Sequence, residues 1–153
     1  MTRIYTTTTI TCSIEALYEY VTTPAHWPEW HPSSLAVSEG ADHSLLVGEQ
    51  VIEQFRVAGR RGSVVWTVVE RSTPRHWVIV GVIEGTNGGG TIIYDLSERP
   101  NGVLFEREFT YPAPNALFAV LDALVLHRRV QAESEEAVRR LKARMEQHGD
   151  DPG

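Results

Sequence analysis

The sequence predicts an α+β domain in which an antiparallel sheet wraps around one long C-terminal helix. Six strand-like runs follow residue 32, and turn signals such as "GAD", "GRRG" and "RPNG" separate them. This regular hairpin spacing favours an antiparallel meander over parallel β-α-β units. After Pro114 the chain has no glycine or proline until Gly149, which predicts a helix over residues 115–147. The sheet needs cover for its apolar face, and only this helix is long enough to supply it.

The N-terminal part predicts a seventh strand and two short helices. Residues 3–12, "RIYTTTTITC", are rich in β-branched side chains and favour a strand. Ser13 is placed to cap the helix that follows. The apolar residues after it have the i, i+3, i+4, i+7 spacing of an amphipathic helix: Ile14, Leu17, Tyr18 and Val21. Pro24 ends this helix and starts a second short helical segment.

The remaining strands and the domain limits follow from the same patterns. The six later strands are predicted at residues 33–39, 49–58, 62–72, 75–84, 90–98 and 102–111. No repeat, linker or second core interrupts them, so residues 1–148 are predicted to form a single domain. Residues 149–153, "GDDPG", are expected to be a disordered tail.

Composition and charge exclude several classes of protein. The chain has 153 residues, is 42% hydrophobic and carries a formal net charge of −6, which argues against a nucleic-acid binder. One cysteine, Cys12, excludes an internal disulfide framework and a cysteine-based zinc cluster. No apolar run reaches membrane-spanning length, so we expect a cytoplasmic protein without membrane insertion. The sequence leaves monomer and homodimer open.

Several stretches resemble the START/Bet v1-like (SRPBCC) superfamily, and within it the polyketide cyclase/dehydrase-like subgroup. These are the opening "ITCSIEALYEYVTTPAHWPEWHP", the stretch "TVVERSTPRHWV", the hairpin "GTIIYDLSERPNGVLFEREF" and the closing "EEAVRRLKARME". The resemblance implies a helix-grip fold: seven curved antiparallel strands around the C-terminal helix, with two short helices closing one end of a cavity. Members of the superfamily bind hydrophobic ligands, and some catalyse cyclisation or dehydration.

Two charged residues fall on otherwise apolar strand faces. Glu53 alternates with Val51 and Phe55, and Arg107 alternates with Phe105 and Phe109. A buried charge without a partner is costly. We therefore expect Glu53 and Arg107 to pair with each other, to contact cavity water or to bind a ligand group. A structural ion pair and a ligand-contacting role both stay open.

Three aromatic residues on the predicted strands are candidates for the wall of a cavity. Tyr94 lies on the apolar face of its strand and could present a phenol to the cavity, although core packing is the more common role of an aromatic residue at such a position. Alternation does not settle which face of Trp66 or Trp77 points inward. The pattern "W-x-V-x-E" from Trp66 resembles the superfamily and favours Trp66 as the wall.

The long helix has an apolar stripe that changes character in the middle. Leu117, Leu121 and Leu124 begin it, and Val138, Leu141 and Met145 resume it. Between them the predicted face carries Arg128, Gln131 and Ser134, with His127 beside it. Either this segment faces a partly hydrated cavity or a helix bend turns it to solvent.

Two other motifs are assigned structural roles. The stretch "PAHWPEWHP" at 24–32 suggests a metal site, a sugar platform or a rigid cap. The spacing of its two histidines fits no metal geometry, and the resemblance places Trp30 inward, so we predict a cap. The loop "GTNGGG" at 85–90 has neither a following helix nor Lys-Ser/Thr and is predicted to be a hairpin loop, not a phosphate cradle.

The predicted function is binding of a small hydrophobic or aromatic molecule, without cofactor or metal. The alternative is a polyketide cyclase or dehydratase, with Arg107 or Tyr94 stabilising an enolate and His127 or Glu53 moving the proton. The residues expected to contact the ligand are Trp27, Trp30, Phe55, Trp66, Tyr94, Phe105, Arg107, Phe109, Tyr111, Leu121, Leu124, His127 and Gln131.

Overall fold

The chain forms one seven-stranded sheet and three α-helices in the computed structural model, which describes residues 2–57, 59–85, 88–112 and 119–149. The strands are β1 (Thr2–Ile10), β2 (Ser34–Val37), β3 (Gln50–Val57), β4 (Arg60–Ser72), β5 (His76–Ile83), β6 (Gly89–Arg99) and β7 (Gly102–Tyr111). The helices are α1 (Ile14–Val21), α2 (Trp27–Trp30) and α3 (Ala119–Gly149), with a 3-10 turn at Pro24–His26 before α2.

The sheet is an antiparallel meander closed by its first strand. Its order is β1-β7-β6-β5-β4-β3-β2, so every strand after β2 pairs with its neighbours in sequence. β1 pairs with β7, in a register that sets Thr6 opposite Arg107. The curled sheet and the long C-terminal helix confirm the predicted helix-grip fold.

The segment between β1 and β2 is built as its capping residues predict. The Ser13 hydroxyl accepts a hydrogen bond from the backbone N–H of Ala16 at 3.1 Å, which caps α1. The predicted stripe of α1 is buried, with Tyr18 and Leu17 almost wholly covered. The second helical segment divides into the 3-10 turn and α2, because Pro24 and Pro28 each supply a residue suited to a first helical turn.

The C-terminal half of α3 packs on β1. Its buried residues are Ala137, Val138, Leu141 and Met145. The Lys142 ammonium donates to the backbone oxygen of Thr9 at 2.7 Å, and the Glu146 carboxylate accepts from the backbone N–H of Thr11 at 3.0 Å. This docking anchors the C-terminal half of the helix on β1. Residues 115–118 of the predicted helix and residues 150–153 of the predicted tail lie outside the described residues.

Candidate ligand cavity

A cavity of about 820 Å³ lies between the curled sheet and the first half of α3. It runs from α2 to the β3–β4 hairpin, where Val57 and Arg60 line it. The apolar and aromatic walls are Trp27, Trp30, Phe55, Val57, Val64, Trp66, Ile83, Ile92, Phe109, Tyr111, Pro112, Val125, Leu126 and Val130. A smaller set of polar side chains faces the same space: His31, Ser33, Glu53, Arg60, Tyr94, Arg107, Glu133 and Ser134. Apolar walls with a few convergent polar groups are typical of small-molecule sites.

The end of the cavity at α2 is closed by packed aromatic rings. Trp30 is fully buried and contacts the rings of Tyr94 and Phe105, with centroids 6.3 and 6.5 Å away. Trp27 donates its indole N–H to the backbone oxygen of Val21 at 3.0 Å, which fixes the ring against α1. The stretch 24–32 therefore forms an end wall, in which Trp27 and Trp30 are the residues that reach the cavity.

Two wall aromatics lie close against glycines of the neighbouring strand. Phe55 pairs with Gly62, and Trp66 pairs with Gly81. A Cβ at Gly62 would lie 2.6 Å from the Phe55 ring, and one at Gly81 would lie 2.5 Å from the Trp66 ring. Real Cβ atoms do not approach this closely. The absence of side chains at these two positions therefore lets the rings lie against the sheet and leaves the space above them open.

Glu53 faces the cavity from β3 and is held by a wall residue. Its Oε1 accepts a hydrogen bond from the Trp66 indole N–H at 3.0 Å. Burial raises the pKa of Glu53, while the Ser34 hydroxyl, the Trp66 N–H and the positive charge of Arg107 oppose that rise. The carboxyl group thus combines a fixed position with an increased tendency to hold a proton.

Arg107 brings a buried positive charge to the middle of the cavity. The side chain is 4% exposed, and its Nη1 donates to the Ser134 hydroxyl of α3 at 3.2 Å. Its guanidinium carbon lies 5.9 Å from the centroid of the Phe109 ring. Within the described residues, its Nε has no hydrogen-bond partner, and no carboxylate oxygen lies within 4.0 Å of the guanidinium. Of the alternatives left open by the sequence, a direct ion pair between Glu53 and Arg107 is therefore not formed.

Tyr94 is a protonated phenol beside this charge. It pairs with Arg107 across β6 and β7 and is 2% exposed. Burial raises its pKa to about 12, although the Arg107 charge acts in the opposite direction. The hydroxyl therefore keeps its proton at neutral pH and is available as a donor.

His31 ends α2 and is a neutral base at the same end of the cavity. Its Nδ1 accepts a hydrogen bond from the backbone N–H of Ser33 at 3.1 Å. Burial, with the charges of Arg107 and Arg140, lowers the pKa of His31 well below its ordinary value. The neutral ring therefore carries its proton on Nε2. The Ser33 hydroxyl bonds in turn to the Glu133 carboxylate of α3.

The structure brings most of the predicted contact residues to one space. Eight of them line the cavity: Trp27, Trp30, Phe55, Trp66, Tyr94, Arg107, Phe109 and Tyr111. Of the two tryptophans left open, Trp66 lines the cavity. Trp77 is fully buried, stacks on Tyr94 with ring centroids 5.5 Å apart, and donates to the backbone oxygen of Leu45 at 3.2 Å. That any of these residues binds a ligand stays a prediction.

Three predicted contacts lie elsewhere. Phe105 is fully buried between Trp30 and Tyr94 and does not line the cavity. His127 is half-buried outside the lining, and Gln131 donates to Glu135 at 3.0 Å on the exposed side of α3. The side chains of Leu121 and Leu124 lie outside the part of the chain that the structure describes.

Ser134 of the predicted stripe lines the cavity, but the other residues of α3 that face it are one position away from that stripe. Leu126, Val130 and Glu133 line it in place of His127 and Gln131. Each helical residue turns by about 100°, so an error of one position moves a side chain far around the helix. Leu126, Val130, Ala137, Leu141 and Met145 recur at spacings of four and seven, which is the helical signal that would have located this face.

Three linked polar residues of the lining, His31, Ser33 and Glu133, were not among the predicted contacts. His31 lies in the stretch 24–32 that was predicted to be a cap, and no sequence motif marks Ser33 or Glu133. Among the described residues, no three His, Cys, Asp or Glu side chains group in a way that could hold a metal ion. Across the same residues, no helix has the length and apolarity required to cross a membrane.

The sequence was compared with families and with curated proteins. Residues 1–146 match the family described as polyketide cyclase / dehydrase and lipid transport. No curated protein matches the sequence.

Solved structures share the fold at low sequence identity. A START superfamily protein from Mycobacterium smegmatis has a TM-score of 0.67 and 13% identity, over 95% of this chain and 98% of that one. Ginseng major latex-like protein 151 from Panax ginseng has a TM-score of 0.65 and 16% identity, over 94% and 97%. A putative protein in the dynemicin biosynthetic locus has a TM-score of 0.68 and 12% identity, over 96% and 48%. Likeness at these identities is evidence for the fold alone.

Proposed function

The chain belongs to the polyketide cyclase / dehydrase and lipid transport family, and from this premise we propose that it binds a small hydrophobic or aromatic molecule in its cavity. The observation that carries the proposal is the cavity of about 820 Å³, whose walls are mostly apolar and aromatic. Such a volume accommodates a molecule of the size of a typical organic ligand. Burial of apolar ligand surface supplies the affinity, at roughly 25 cal/mol per Å².

The polar groups set the orientation of the ligand in this proposal. Tyr94 and Arg107 lie on adjacent strands, and Glu53 on β3 lines the same cavity close enough to interact electrostatically with both. A ligand with a polar end therefore meets all three together. Site residues on strands are held more firmly than residues on loops. Trp27 and Trp30 close the end of the site and contact the ligand as walls.

The experiment is binding of the neutral fluorophore N-phenylnaphthylamine, whose emission rises in an apolar site. We expect saturable binding at one site per chain. Val64→Phe narrows the cavity and is expected to weaken binding about tenfold or more, whereas Val80→Phe on the convex face leaves it unchanged. If Val64→Phe and Val80→Phe bind the fluorophore equally well, the molecule does not enter this cavity. Native mass spectrometry of protein from its own host would then identify any retained ligand.

A second candidate function is cyclisation or dehydration of a polyketide, favoured by the carboxyl group of Glu53. Burial raises its pKa, as suits a group that exchanges protons near neutral pH. Arg107 and Tyr94 lie near it to stabilise an enolate. One structural neighbour is a putative protein in a biosynthetic locus. The test is turnover of a poly-β-ketone thioester followed by mass spectrometry. Glu53→Gln and Arg107→Ala are expected to abolish product formation, and unchanged turnover in both would remove this candidate.

A further inference from the structure

A purely apolar ligand would make no charge-assisted hydrogen bond with the guanidinium of Arg107. Its side chain is only 4% exposed, and it borders the cavity. The hydroxyl of Ser134 is a neutral partner, and it lies at the long distance of 3.2 Å. A buried charge without an ionised partner costs several kcal/mol in general. The charge of Arg107 is therefore expected to have a role other than stabilising the fold.

The acidic side chains that share the cavity are engaged elsewhere. Glu53 accepts from the Trp66 indole at 3.0 Å, and Glu133 bonds to the Ser33 hydroxyl. Neither carboxylate comes within 4.0 Å of the guanidinium of Arg107. Among the described residues, the guanidinium of Arg107 therefore has no carboxylate partner, and the position beside it is open to the anionic group of a ligand.

We infer that the ligand is an amphipathic carboxylic acid whose ionised carboxylate pairs with Arg107 while its apolar part fills the cavity. This rests on the proposed function and names the chemical class of the ligand. A guanidinium matches the planar geometry of a carboxylate, and charge-assisted hydrogen bonds are about twice as strong as neutral ones. The protonated Tyr94 hydroxyl, opposite Arg107 in the sheet, is a second donor.

The surroundings of Arg107 favour an anion over a cation. The groups that interact with it are Tyr94 on β6, Glu53 on β3, His31 after α2 and Ser134 on α3, and Glu133 on α3 lines the same cavity. His31 is neutral and Tyr94 is protonated, so neither repels a carboxylate. Burial raises the pKa of Glu53, which lowers the cost of an anion nearby because that carboxyl group takes up a proton more readily.

The test compares matched ligands that differ only in the polar group. Dodecanoic acid, dodecanamide and dodecylamine are titrated against the wild-type protein with bound N-phenylnaphthylamine. Naphthaleneacetic acid and its amide form a second pair, which distinguishes an aliphatic from an aromatic apolar part. We expect each acid to displace the fluorophore at about one tenth of the concentration that its amide requires.

The variants assign this preference to one side chain. Arg107→Met is expected to remove the preference for the acid and to leave amide binding within about twofold, because the apolar contacts remain. Arg107→Lys is expected to retain part of it, since the charge stays and the planar fork is lost. Arg56→Met removes an exposed cation of β3 that does not line the cavity and is expected to leave the preference unchanged.

Each outcome has a distinct meaning. Equal binding of acid and amide by the wild-type protein overturns the inference and leaves the proposed function standing, and this result needs no variant. Tighter binding of dodecylamine also overturns it and assigns the site to Glu53 or Glu133. Failure of the fluorophore itself to bind contradicts the proposed function instead. If Arg107→Met does not fold, the comparison of Arg107→Lys with Arg56→Met decides.

Discussion

Substitution of Gly81 by alanine tests whether the open cavity depends on the bare backbone behind Trp66. The new Cβ would lie 2.5 Å from Cε3 and 2.6 Å from Cζ3 of Trp66, and 2.8 Å from Cγ2 of Val64. Because ordinary contacts begin near 3.4 Å, the ring has to retreat by about 1 Å, an overpacking that costs about 1–3 kcal/mol. Strain on the hydrogen bond from Trp66 to Glu53 adds about 1 kcal/mol. The lower entropy of alanine in the unfolded chain returns about 0.5–1 kcal/mol, so we expect a net loss of about 1–3 kcal/mol in the free energy of unfolding.

Two measurements separate this mechanism from general damage to the fold. Urea unfolding followed by tryptophan fluorescence gives the loss in stability, and titration with N-phenylnaphthylamine gives the loss in affinity, expected to be severalfold. The matched control is Gly40→Ala, where φ is +85° and the new Cβ meets nothing within 4 Å. It should lower stability by about 1 kcal/mol through backbone strain and leave the affinity unchanged. A Gly81→Ala protein with wild-type stability and affinity would refute the reasoning.

Three further predictions concern the polar end and the end wall. Arg107→Met is expected to leave the ligand-free protein at least as stable as the wild type in urea unfolding, because an unpaired buried charge is removed; a loss of about 3 kcal/mol or more would indicate a structural ion pair. His31 has a lowered pKa in the folded state, so its contribution to stability is complete above its unfolded pKa of about 6.5 and is lost as the pH falls below it. His31→Gln should therefore lose less stability than the wild type between about pH 7 and pH 5, and parallel pH profiles would contradict this assignment. Trp30→Ala removes a fully buried indole and should lower the free energy of unfolding by about 3–5 kcal/mol. A loss below about 1 kcal/mol would show that the packing of the end wall does not depend on Trp30.

The strands and α1 were predictable because each depends on local patterns. In β3, the alternation that set Glu53 and Phe55 on one face is the alternation observed, since successive side chains of a strand point to opposite faces. In α1, the Ser13 cap and the four apolar positions after it act within a single helical segment. The fold class then followed from the order of elements, because an antiparallel meander and one long helix leave few ways to bury an apolar face.

The site was less predictable, because its geometry depends on relations between elements. The rotation of α3 is set by its contact with β1, and a one-position error exchanged Leu126 and Val130 for His127 and Gln131. The pairing of Trp66 with Gly81 is a matter of hairpin register, which the sequence of one strand does not contain. Arg107 was identified as unusual from its own strand, yet its missing partner became evident only when α3 and β3 were placed beside it.

The glycines opposite Phe55 and Trp66 separate the size of the cavity from the chemistry of its surface. Neither Gly62 nor Gly81 is among the residues that border the cavity, yet each sets how far an aromatic ring stands above the sheet. A change at either position would reshape the space without altering any chemical group that a ligand meets. The range of ligands that fit the cavity can therefore change in evolution through substitutions at residues that do not line the cavity. A comparison of relatives that considers only the lining residues would miss such a change. A comparison that includes the residue paired with each wall aromatic on the neighbouring strand would detect it.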